Sequence, residues 1–94
     1  MSTTRINRFV AQAGQADALK LFLTELIPYI TASAGCESCE LFQQESQKTE
    51  FFIVEKWHDK AAHQASVAGF PKEKMQSAMR LLAEAPQGNY YQHC

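Results

Sequence analysis

Hydrophobic and polar residues alternate at the start of the chain and then change to a helical spacing. Residues 5–12 alternate with a period of two, which predicts a strand. Over residues 15–33 the apolar side chains recur every three or four positions, which predicts a helix with one buried stripe. Pro28 lies inside this helix and favours a bend, and Gly35 supplies its stop.

The middle of the chain returns to the pattern of strands. Residues 36–44 and 50–58 are two predicted strands, and the polar stretch 45–49 between them is typical of a hairpin loop. The third strand is apolar on both sides, because Phe51, Ile53 and Trp57 face one way while Phe52 and Val54 face the other.

The last part predicts a broken helix and a final strand. Asp59 is a suitable N-cap for a short helix that ends near Gly69. Pro71 begins a second helical segment, and residues 89–93, with their paired tyrosines, form the last predicted strand.

This order predicts an α+β fold. Strand, helix, strand, strand, broken helix, strand is the ferredoxin-like βαββαβ arrangement, a four-stranded antiparallel sheet with helices on one face. We expect one domain over residues 1–94. Because the helices cover only one face, the apolar far side of the third strand requires a second cover, which a partner subunit would supply. The pattern therefore predicts a homodimer whose sheets face each other.

Composition and charge exclude several classes of function. Nine basic and ten acidic residues give a net charge of −1 without a basic cluster, so nucleic acid is not an expected partner. The longest apolar-rich stretch, residues 19–30, contains charged residues and a proline, so no membrane span is expected. The first residues lack the apolar segment of a signal peptide, and a cytoplasmic location is expected.

Three cysteines, an odd number, argue against a disulfide framework. Cys36 and Cys39 have the spacing of a redox or metal motif. In a regular strand, however, residues three apart face opposite sides, so we interpret both as reduced structural thiols.

Three features resemble the antibiotic biosynthesis monooxygenase family. They are Gly35-Cys36 at the start of the second strand, Glu55-Lys-Trp57 at the end of the third, and Phe70 after the following helix. The resemblance implies a dimeric α+β barrel. It also implies an oxygenase that needs no flavin or metal, because a deprotonated phenol or quinol can itself give an electron to dioxygen.

The face of Trp57 is the predicted substrate face. Trp57 is expected to stack on an aromatic ring, with Phe51, Ile53 and Phe9 beside it. Glu55 shares this face and is either a base or, as we favour, half of an ion pair.

Candidate proton-handling residues come from three elements. Asn7, on the first strand, matches a functional asparagine of haem-degrading relatives and is expected to hydrogen-bond a substrate oxygen. Many family members carry a histidine where this chain has Ser66, and His63, one helical turn earlier, either replaces it as a base or lies at the surface. Tyr90 and Tyr91 alternate, so only one faces the cavity, and we name Tyr91 as the candidate.

The leading functional prediction is a cofactor-independent monooxygenase that acts on a small hydroquinone or phenol with dioxygen, with no cofactor and no metal. A dimeric module that binds a small ligand without chemistry is the alternative, and an enzyme acting on a small signalling molecule ranks third. Haem degradation is disfavoured, because Ser66 and Gln76 occupy the positions of that group's tryptophan and iron-binding histidine.

Overall fold

A computed structural model describes residues 2–94 as a four-stranded antiparallel sheet with three helices. The elements in chain order are β1 (Thr3–Val10), α1 (Ala16–Ala32), β2 (Cys36–Gln43), β3 (Glu50–Trp57), α2 (Lys60–Gly69), α3 (Lys72–Met79) and β4 (Gln87–Tyr91). The predicted ferredoxin-like order is confirmed. Both β1 and β4 begin and end two residues earlier than predicted.

The strands are arranged in the order β2-β3-β1-β4, with every pair antiparallel, and the sheet does not close on itself. The first strand of the chain is therefore central, between β3 and β4. The helices bury one face of this sheet. Its core residues on α1 and β3 are Leu19, Leu23, Leu26, Ile30, Phe51, Ile53 and Trp57.

Two local features expected from the sequence, the N-cap of α2 and the glycine that ends α1, are present in the structure. The Asp59 carboxylate accepts a 2.8 Å hydrogen bond from the backbone N–H of Ala62, and this caps α2. Gly35 has a φ of +85°, a left-handed conformation that glycine adopts without strain, as a chain leaving a helix for a strand requires. Pro28 lies within α1 without ending it.

The far face of the sheet is not covered by the helices. Phe52 and Val54 are only half-buried there, and Phe42, opposite Phe52 on β2, is 49% exposed. The prediction that β3 is apolar on both sides is thus confirmed.

The prediction that Cys36 and Cys39 face opposite sides is wrong. A bulge between Cys36 and Ser38 adds one residue to β2, so Cys36 pairs with Trp57 and Cys39 pairs with Glu55. Since Glu55 and Trp57 are two residues apart on β3, both thiols lie on the helix-facing side, and both are free and half-buried.

Within residues 2–94, no helix combines the length and the apolar character that a bilayer span requires.

Candidate functional site

Strand register brings a row of polar side chains together on the helix-facing side of the sheet. Arg5 lies between Glu55 on one neighbouring strand and Tyr90 on the other, and Asn7 lies opposite Gly88. Directly opposed residues of antiparallel strands share a face, so β1, β3 and β4 all contribute to one polar cluster. We call Arg5, Asn7, Glu55, His63 and Tyr90 the Glu55 cluster.

Glu55 is a buried carboxyl group, 3% exposed, held by neutral donors. Trp57 Nε1 donates a 2.7 Å hydrogen bond to Oε1, and Asn7 Nδ2 donates a 3.2 Å hydrogen bond to Oε2. Both donors are uncharged, so neither of these hydrogen bonds is the ion pair that the sequence favours. Burial raises the pKa of Glu55, and the hydrogen bonds from Trp57 and Asn7 and the positive charge of Arg5 offset part of that rise.

His63 lies on the buried side of α2 and is 8% exposed, so it is not a surface residue. Its Nε2 is 3.9 Å from Glu55 Oε1, and its Nδ1 is 2.6 Å from the Tyr90 hydroxyl oxygen. Burial, followed by the charge of Arg5, lowers the pKa of the imidazole, which favours the neutral ring. His63 thus lies between the buried carboxyl and a phenol, and its ring packs edge-on against Trp57 and Tyr90.

Tyr90, rather than Tyr91, is the tyrosine of this site. Tyr91 pairs with Thr4, on the other face of the sheet, and is 48% exposed. The choice of Tyr91 made from the sequence is therefore wrong, because the register of β4 decides which of the two adjacent tyrosines faces inward, and alternation alone does not fix that register. The pairing of Tyr90 with Arg5 settles this point.

Two cations lie beside the Tyr90 ring. The guanidinium carbon of Arg5 is 4.7 Å from the ring centroid, and Lys60 Nζ is 5.3 Å from it. Arg5 Nε also donates a 3.1 Å hydrogen bond to Asn7 Oδ1. The outer end of the cluster is therefore positively charged, whereas its inner end is a carboxyl group.

The predicted substrate-contacting apolar residues are mainly core residues. Phe51, Ile53 and Trp57 are at most 1% exposed and pack against α1, so Trp57 has no free ring face for stacking. Phe9 is half-buried and lines a void of about 30 Å³ between β1, α1 and α3. What Trp57 contributes to the site is its N–H group, which holds Glu55.

A larger cavity, of about 590 Å³, lies between α1 and the segment that joins α2 to α3. Its wall contains the aromatic rings of Phe22, Tyr29 and Phe70, and Glu25 and Lys74 are polar residues of its lining. None of the Glu55 cluster lines this cavity. Sequence reasoning did not identify it, because it forms where three helices meet and no motif marks it.

No set of three or more histidine, cysteine, aspartate or glutamate residues in the described part of the chain is arranged to hold a metal ion. Cys36 and Cys39 face Glu55, but burial raises the pKa of both thiols, that of Cys39 to about 12. Thiolates, the form that binds metals, are therefore disfavoured here.

The chain belongs to the antibiotic biosynthesis monooxygenase family, which its sequence matches over residues 3–80. Gly88 and Tyr90 lie beyond the matched region. No curated protein matches the sequence.

Solved structures share the fold. Protein PA3566 from Pseudomonas aeruginosa is 24% identical, with a TM-score of 0.88 over 99% of this chain and 94% of its own. Protein SO0527 from Shewanella oneidensis is 26% identical, with a TM-score of 0.85 over 96% of this chain and 88% of its own. SnoaB from Streptomyces nogalater, a cofactor-independent oxygenase, is 14% identical, with a TM-score of 0.81 over 98% of this chain and 92% of its own.

Proposed function

We propose that this protein is a cofactor-independent monooxygenase that oxidises a small hydroquinone or phenol with dioxygen. One observation carries the proposal: a buried carboxyl, an imidazole and a phenol follow one another from Glu55 through His63 to Tyr90, where two cations lie. Family membership and the similarity of fold to SnoaB support the same reaction class.

The reaction balances without an external reductant. A hydroquinone and one molecule of dioxygen give a hydroxyquinone and one molecule of water. One oxygen atom enters the ring and the other leaves as water, while the organic molecule loses the four electrons that dioxygen gains. The protein has to remove a phenolic proton, stabilise the resulting anion and keep water from the reacting ring.

His63 is the proposed base, acting through Tyr90. In this arrangement the Tyr90 hydroxyl donates to His63 Nδ1, and a lone pair on the Tyr90 oxygen accepts the substrate proton as Tyr90 gives its own to the imidazole. The lowered pKa of His63 favours the neutral ring, which is the form that a base requires. Glu55, on the other side of the ring, stabilises the imidazolium that forms.

Arg5 and Lys60 are proposed to stabilise the phenolate. Both cations lie within 5.3 Å of the Tyr90 ring centroid, so an anion that contacts the Tyr90 hydroxyl lies in their field. The Asn7 amide is already occupied by Arg5 and Glu55. We therefore propose that Asn7 positions Glu55 instead of binding a substrate oxygen.

A homodimer is part of the proposal. Two sheets packed through their far faces would cover Phe42, Phe52 and Val54, which a single chain leaves partly exposed.

Oxygen consumption by chelator-treated protein, across a panel of hydroquinones and phenols, tests this function. We expect saturable uptake above the rate of autoxidation, and a loss of about 10²–10⁴-fold in His63→Gln. Tyr90→Phe should lose most of the rate, whereas Tyr91→Phe, on the other face, should keep it. Uptake that is the same in wild type and in both site variants would contradict the proposal.

A binding module without chemistry is the second candidate, and the cavity between α1 and α3 favours it. A volume of about 590 Å³ with aromatic walls suits a small apolar ligand, and no proton-handling residue of the cluster lines it. Ligand binding that is weakened by Phe70→Ala but unaffected by His63→Gln, without oxygen uptake, would favour this function.

A further inference from the structure

Gly88, on β4, has no side chain, and two members of the Glu55 cluster, Arg5 and Asn7, occupy the space beside it. Gly88 lies opposite Asn7 in the sheet, on the helix-facing side. A Cβ atom at this position would overlap Asn7 Oδ1 and Arg5 Nη2, and it would lie 2.7 Å from the guanidinium carbon of Arg5. The Arg5 and Asn7 side chains therefore lie across the bare backbone of Gly88.

Gly88 is not required by backbone conformation. Among residues 2–94, positive φ angles occur at Gly14 and Gly35 only, so an alanine at 88 keeps an allowed backbone. The atoms that a methyl group at position 88 would meet belong to side chains that can move. At Gly35, by contrast, the φ of +85° strains any other residue whatever the space. Glycine at position 88 thus leaves space for Arg5 and Asn7.

The space matters because Asn7 links Arg5 to the buried carboxyl. Asn7 accepts from Arg5 Nε at 3.1 Å and donates to Glu55 Oε2 at 3.2 Å. Displacing this amide would leave Oε2 of Glu55 without its side-chain donor and would withdraw the guanidinium from the Tyr90 ring.

We infer that Gly88 is a positioning residue of the site. Because it has no side chain, the Arg5 and Asn7 side chains can lie against β4, where Asn7 holds Glu55 and Arg5 faces Tyr90. The catalytic consequence of this role rests on the proposed function, whereas the positioning itself does not.

Trp57 gives a readout that is independent of activity. It is the only tryptophan, and its indole N–H donates to Glu55, so its fluorescence reports the ionisation of that carboxyl. The titratable or charged groups that face Glu55 are Arg5 from β1, Cys36 and Cys39 from β2 and His63 from α2, with Tyr90 of β4 behind His63. His63 also contacts the indole, so the titration is repeated with His63→Gln. The transition that belongs to Glu55 is the one that Glu55→Gln removes.

The experiment compares Gly88→Ala with Gln87→Ala, whose side chain is exposed at the neighbouring position of β4. Losing the Asn7 donor and the nearby guanidinium disfavours the carboxylate, so we expect the Glu55 transition to move upward by about one pH unit in Gly88→Ala. Gln87→Ala should leave the transition in place. An unmoved transition in Gly88→Ala would overturn the inference.

A second comparison isolates the cause. With Arg5→Ala and Asn7→Ala already present, Gly88→Ala should move the transition no further, because the side chains it displaces are gone. If Gly88→Ala alone does not fold, the same two substitutions should restore folding. A further shift in that background, or a triple variant that still fails to fold, would assign Gly88 another role.

Wild-type protein without oxygenase activity would refute the proposed function, yet the fluorescence titration would still decide the role of Gly88.

Discussion

The indole N–H of Trp57 donates a 2.7 Å hydrogen bond to Oε1 of Glu55, two residues earlier on the same strand. Both side chains are buried, at 0% and 3% exposure, so the largest residue of the core is also the donor that holds its carboxyl group. The two residues that resemble the family's Glu-x-Trp feature thus form one structural unit.

Trp57→Phe should therefore destabilise the protein more than a change of ring size alone would. The variant leaves space in the core and removes a hydrogen bond to a buried carboxyl, for a loss of about 3 kcal/mol in the free energy of unfolding. Urea unfolding followed by far-ultraviolet circular dichroism measures it. Tyr91→Phe, at an exposed position, is the control and should change stability by less than about 0.5 kcal/mol. Equal effects of the two substitutions would show that the Trp57 contact adds nothing.

Glu55 should make the protein less stable as the pH rises. Its pKa in the folded state is raised above the ordinary value of 4.5, so the folded protein holds the proton more tightly than the unfolded chain does. The stabilisation is complete below pH 4.5 and is lost as the pH rises through the raised pKa. Glu55→Gln should remove this dependence in urea unfolding across the acidic and neutral range. Parallel pH profiles for the variant and wild type would contradict the buried-acid interpretation.

His63 should make the protein less stable as the pH falls. Its pKa is lowered below 6.5, so the neutral imidazole stabilises the fold above pH 6.5, and that stabilisation is lost as the pH falls through the lowered pKa. His63→Gln should therefore flatten the acid side of the stability profile. Because the effects of Glu55 and His63 overlap in pH with opposite sign, the double variant is needed as the reference. The proposed oxygenase rate should fall over the same acid range, since the imidazolium is not a base.

The far face of the sheet gives a prediction about assembly. We expect a dimer by light scattering, and Phe42→Glu should dissociate it by placing a charge in the proposed interface. Leu21→Glu is a matched control, because Leu21 is an apolar residue, 62% exposed, on α1 instead of on the sheet. Dissociation by Leu21→Glu but not by Phe42→Glu would place the interface on the helices.

The three cysteines should differ in reactivity. Cys94 is exposed, whereas the pKa of Cys36 is raised by burial and that of Cys39 is raised to about 12, chiefly by burial and then by Glu55. A disulfide reagent at pH 8 should therefore modify one thiol quickly and the other two only on unfolding. Cys94→Ser should abolish the rapid phase, and a rapid phase that survives this substitution would show that a strand thiol is reactive.

The fold could be predicted because its signals are local and redundant. The helical stripe of α1, the cap at Asp59 and the two-sided apolar pattern of β3 each specify their own element, and the order of elements leaves few topologies. Trp57, Asn7 and His63 were identified as candidates through the resemblance to the family, and Glu55 because the period of a strand places it on the face of Trp57.

What could not be predicted depends on register and on contacts between distant segments. The bulge at Cys36 and Ser38 reverses the expected side of a thiol, and no residue type in β2 indicates it. The register of β4 against β1 could not be predicted either, so Tyr91 was chosen although the structure places Tyr90 on the helix-facing side. The open space that Gly88 leaves for Arg5 is visible only once β1 and β4 are paired.

The central position of β1 also has a consequence for how the chain folds. Its neighbours in the sheet are β3 and β4, and residues as far apart in the chain as Thr4 and Tyr91 must meet. Only the β2-β3 hairpin can form from nearby residues, while β1 remains without a partner strand until later segments are available. Such non-local pairing slows folding because long loops must close before the contacts form. The rate-limiting step should therefore be the docking of β1 onto the hairpin, with β4 completing the sheet and the polar cluster last.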